Sequence, residues 1–146
     1  MEEQEKDKLK DLLIRLVDSR DGYIEAGEAA TQDRHKKLFG DLGAQRKEFA
    51  EDIRKALSGH GVQYDTDGSF EAGVHRWFMN IKHKLDSEND EELLEEIETG
   101  ESKLLDKYEE VIKTVKTDTA LLEKVQNQYK QVKSNYEVIK AKEEAA

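Results

Sequence analysis

The side chains best placed to do chemistry in this sequence are carboxylates spaced three residues apart. Glu98 and Glu101 in IETGES, Glu48 and Glu51 in KEFAED, and Glu25 and Glu28 in YIEAGEA each set two carboxyl groups on neighbouring turns of a helix. A helical bundle builds a dinuclear iron or manganese centre from such groups, and the chemistry would be that of an oxidase or peroxidase. The centre also needs an imidazole three residues after a glutamate on each of two helices. None of His35, His60, His75 or His83 stands at that spacing. Glu71 and His75 lie four apart, but isolated histidines on an acidic surface are expected to be solvated. Cysteine is absent, which removes thiol catalysis, thiolate metal sites and disulfides together. No Ser-His-Asp set and no phosphate-cradling glycine loop is present either.

The elements that must hold these groups are helices. From Glu91 to Val115 the apolar residues Leu94, Ile97, Leu104, Leu105, Tyr108, Val111, Ile112 and Val115 follow three-and-four spacing. Glu101 bridges the step from Ile97 to Leu104 and so sits inside the buried stripe, where a carboxylate needs a partner. A first helix spans about Lys6 to Ala30, with Ile24 on its stripe and Arg20 between Leu16 and Tyr23. A second runs from about Asp33 to Ser58, with Gln45 and Arg46 interrupting its stripe between Leu42 and Phe49. A fourth runs from about Thr119 to Ala141, flanked by Gln128 and Asn135, and its final KAKEEAA is expected to fray. The reversals at Thr31–Arg34 and Thr117–Thr119 are short, so each joins antiparallel neighbours.

The connector from about 60 to 89 is different. GVQYDTDGS reads as loop, and Phe70, Val74, Trp77, Phe78, Ile81 and Leu85 then give a short amphipathic helix. A connector of that size can travel the ~38 Å length of a 25-residue helix, at about 1.5 Å per residue. The second and third helices are therefore expected to run parallel. The fold class read from the chain is all-α: a ferritin-like four-helix bundle with one long crossover containing an extra short helix between helices 2 and 3. One domain is expected over 1–146, with its core at about 6–141.

A net charge of −10 opposes phosphate backbones and anionic leaflets, and no stretch approaches the ~20 apolar residues of a membrane span. The expectation is a soluble cytoplasmic protein with no nucleic acid and no membrane partner. Proline is absent, as suits a chain that is nearly all helix.

The segments DGYIEAGEAA, FGDLGAQRKEFAEDI, GSFEAGVHRWFMNIK and IETGESKLLDKYEEVI resemble the bacterial ferritin-like family described as domain of unknown function 2383, over roughly Leu9 to Ile139. The resemblance implies a bundle related to ferritins and rubrerythrins, and no established activity. It also implies where metal ligands would stand. On the second helix the glutamate and histidine of the rubrerythrin pattern are replaced by Arg46 and Phe49. On the fourth, the pair falls near Val132 and Asn135, and valine offers no ligand. On the first, Arg20 occupies a position suited to an inward carboxylate.

Two readings follow. In the first the bundle is metal-free and non-catalytic, a structural or interaction protein, stress-associated as relatives of the wider superfamily suggest, that self-associates or docks a protein partner. An internal polar network of Arg20, Gln45, Arg46, Glu101, Gln128 and Asn135 then stands in place of a metal, and His75, Arg76 and Trp77 anchor the crossover. In the alternative, Glu25, Glu28, Glu48, Glu51, Glu98 and Glu101 hold iron or manganese for an oxidoreductase.

Overall fold

The computed structural model describes residues 1–66 and 90–145. These form four long helices, α1 (Glu3–Ala29), α2 (Asp33–Gly59), α3 (Glu91–Thr114) and α4 (Thr119–Ala145). No strand occurs among the described residues. The short crossover helix expected before residue 89, and the anchor residues His75, Arg76 and Trp77, lie outside the described residues. None of the described helices is long and apolar enough to cross a membrane.

Side-chain contacts at the two ends of the molecule set the helix directions. At one end the Asp90 carboxylate joins the start of α3 to the α1–α2 turn, accepting from the Thr31 N–H (2.8 Å), the Thr31 hydroxyl (2.9 Å) and the Gln32 N–H (3.2 Å). His35 Nδ1 lies 2.6 Å from the same carboxylate. At the other end Thr117 donates its hydroxyl to Glu5 at 2.8 Å, and His60 Nε2 lies 3.1 Å from Asp118. The end of α3 thus meets the start of α1, while α2 and α3 point the same way. Helix α1 packs on α2 and α3, and α3 packs on α4. Helices α2 and α4 meet through the side chains of Arg46, Asn135 and Gln128.

The helix ends follow local chemistry. Asp118 caps α4, its carboxylate accepting the Leu121 N–H at 3.0 Å, and that bond and His60 hold its carboxyl below the usual range. Asp90 stands at the equivalent position before α3 but makes no cap, because its oxygens are committed to Thr31, Gln32 and His35. Helix α4 runs on through Ala145, into the KAKEEAA segment. Glu143 reaches Glu98 of α3 and gives the last turn a lateral partner. After α2 the chain reverses at Gly61, whose φ of 82° is a conformation glycine adopts without a side-chain penalty.

The apolar core falls into two clusters. One gathers Leu9 to Val17 of α1, Phe49 to Leu57 of α2, Leu104 to Val115 and Leu121 to Val132. The other gathers Tyr23 to Ala30, Phe39 and Leu42, Leu93 to Ile97, and Ile139. Between the two clusters every helix contributes a polar side chain to one shared layer: Ser19, Arg46 with Gln45 beside it, Glu101 and Asn135. Ile24, expected in the α1 stripe, is instead 50% exposed, although its side chain borders Gly43 of α2, where an added Cβ would lie 3.5 Å from Ile24 Cγ1.

Candidate functional site

The layer between the two clusters is built around a single guanidinium. Arg46 is 0% exposed, and it faces Glu101, 2% exposed, in a two-pronged ion pair. Nη1 donates to Glu101 Oε1 and Nη2 to Oε2 at 2.9 Å. Nη1 also donates to Ser19 Oγ at 3.0 Å, Nη2 to Asn135 Oδ1 at 3.2 Å, and Nε to Gln45 Oε1 at 3.2 Å. A guanidinium has five N–H donors, and here all five have acceptors drawn from four helices. Full satisfaction is what makes burial of the charge tolerable.

Two phenols close the layer. The guanidinium carbon lies 5.2 Å from the centre of the Tyr23 ring, within cation–π range. Tyr108 donates to Gln128 Oε1 at 2.7 Å, and Gln128 in turn donates to the Phe49 carbonyl (3.4 Å) and Asp52 (3.3 Å). Burial raises the Tyr23 hydroxyl well above its ordinary pKa, and the nearby Glu101 charge pushes the same way. Burial likewise lifts Tyr108 beyond the physiological range. Both therefore stay protonated and offer no phenolate. Burial pulls the Arg46 pKa down, but the Glu101 charge more than offsets it, so the guanidinium stays charged.

The residues expected in this network are not all in it. Arg46, Glu101, Gln45 and Asn135 meet directly, and Gln128 joins at one remove, as the hydrogen-bond partner of the buried Tyr108 phenol. Arg20 stands apart: its guanidinium turns to Asp21 (2.8 Å) and the Thr66 carbonyl (3.2 Å). Its place is taken by Ser19, one residue earlier. Positions 19 and 20 both satisfy helical spacing between Leu16 and Tyr23, but only a small hydroxyl fits beside a guanidinium already supplied by α2.

The carboxylates of the metal reading do not converge. Glu101 has both oxygens on Arg46. Glu51 pairs with Arg54 on its own helix. Glu98 accepts from Tyr136 at 3.4 Å on the outer side of α3. Glu28 and Glu48 are exposed, and Glu25 is half-buried on α1. Among the described residues no group of three or more His, Cys, Asp or Glu side chains is disposed to hold a metal ion.

His35 departs from the expectation of a solvated histidine. It is 2% exposed, stacks on Phe39 with ring centres 6.0 Å apart, and pairs with Asp90. Burial raises the Asp90 carboxyl, but the Thr31 N–H, His35 and the other donors pull it below its usual value overall. The sequence signal was slight: Asp90 is one of seven polar or acidic residues around the start of α3.

An all-α chain with its core divided by one ion-paired layer is the class of protein that fold and site define. The chain matches, over residues 4–114, the family described as Domain of unknown function (DUF2383), and it belongs to that family. The matched span holds Arg46 and Glu101, while Asn135 and Gln128 lie beyond it. No curated protein and no solved structure matches the chain.

Proposed function

We propose that this chain is a ferritin-like bundle whose mid-core ion pair replaces a dinuclear metal centre, and that it works as a metal-free, non-catalytic structural or interaction protein. The observation that carries this reading is the Arg46–Glu101 pair at the level where inward residues of all four helices converge. A fixed cation at that point repels a second cation, and the carboxylate a metal would need is already engaged at both oxygens. Phe49 and Val132, one turn away, have no donor atoms. The donor set therefore does not fit iron or manganese, and no reaction step is assigned to a metal. With its interior chemistry spent on holding helices together, the protein acts through its surface, by self-association or by docking a protein partner. The test is metal content per chain after expression in medium supplemented with iron and manganese. The expected result is no stoichiometric metal after desalting. Two metals per chain would overturn the reading and restore an oxidoreductase.

A further inference from the structure

We draw no further inference here: the strongest candidate, the polar groove between α2 and α4 lined by Glu48, Asp52, Glu123, Lys124 and Gln128, carries nothing because the buried Gln128 already bonds to Tyr108, Phe49 and Asp52 and nothing in the structure shows what covers the groove.

Discussion

Removing Arg46 alone should damage this protein more than removing Arg46 and Glu101 together. In Arg46→Met the Glu101 carboxylate, 2% exposed, is left between two apolar clusters without its two strongest donors. Breaking one side of a buried pair costs about 3–5 kcal/mol. For a chain of this size roughly 3–4 °C of melting temperature accompanies each kcal/mol, so the single variant should melt about 9–20 °C below wild type. In Arg46→Met with Glu101→Leu the stranded charge is gone. Ser19, Gln45 and Asn135 lose their bonds to the guanidinium, but all three are half-buried and can turn to water. The double variant should therefore lie within about 2 kcal/mol of wild type, because replacing a buried pair by apolar side chains is often neutral or better. Urea and thermal unfolding followed by circular dichroism measure both. A double variant as unstable as the single, or a single variant within about 1 kcal/mol of wild type, would refute the reasoning.

Asp90→Ala should cost about 2–4 kcal/mol, since it strips hydrogen bonds worth roughly 1.5–3 kcal/mol to a charged acceptor from Thr31, Gln32 and the buried His35; equilibrium unfolding checks this. Because the Asp90 pKa is depressed, its contribution is present above the ordinary value of 3.8 and is lost as pH falls through the lower folded value. The wild-type acid limb should therefore be steeper than that of Asp90→Asn. Glu143 behaves oppositely: its hydrogen bond to Glu98, with burial and the Glu98 charge, lifts it from 4.5 to about 7. Docking of the last turn of α4 should be strongest below pH 4.5 and weaken as pH rises to about 7, seen as faster intrinsic-rate-corrected amide exchange at residues 139–145. Glu143→Gln should flatten that dependence. Asp118→Ala removes the α4 cap and should cost about 0.5–2 kcal/mol in unfolding free energy.

The helices were legible because their apolar residues repeat at helical spacing and their reversals are short, and the parallel course of α2 and α3 follows from the length of the chain between them. Glu101 was legible as a buried carboxylate because it interrupts an otherwise apolar stripe, and Arg46 as its cation because it interrupts another. Ser19 was not, since spacing alone cannot separate it from Arg20; the choice depends on what α2 brings to the same point. Tyr23 and Tyr108 read as ordinary core residues, because a phenol contributes apolar surface and a polar tip to the same position. His35 and Asp90 lie 55 residues apart, at helix ends where no periodicity marks the inward direction.

The most direct measurement of the central claim is nuclear magnetic resonance of the Arg46 side chain in isotopically labelled protein, with Arg46→Lys used to assign the signals. A guanidinium with all five N–H groups bonded and no exposure should show separate Nη proton resonances, with rotation about its C–N bonds frozen and exchange with water slowed by orders of magnitude. A single averaged Nη signal exchanging as freely as that of solvent-exposed arginine would contradict the account, for it would mean that the charge at the centre of the core is not held there.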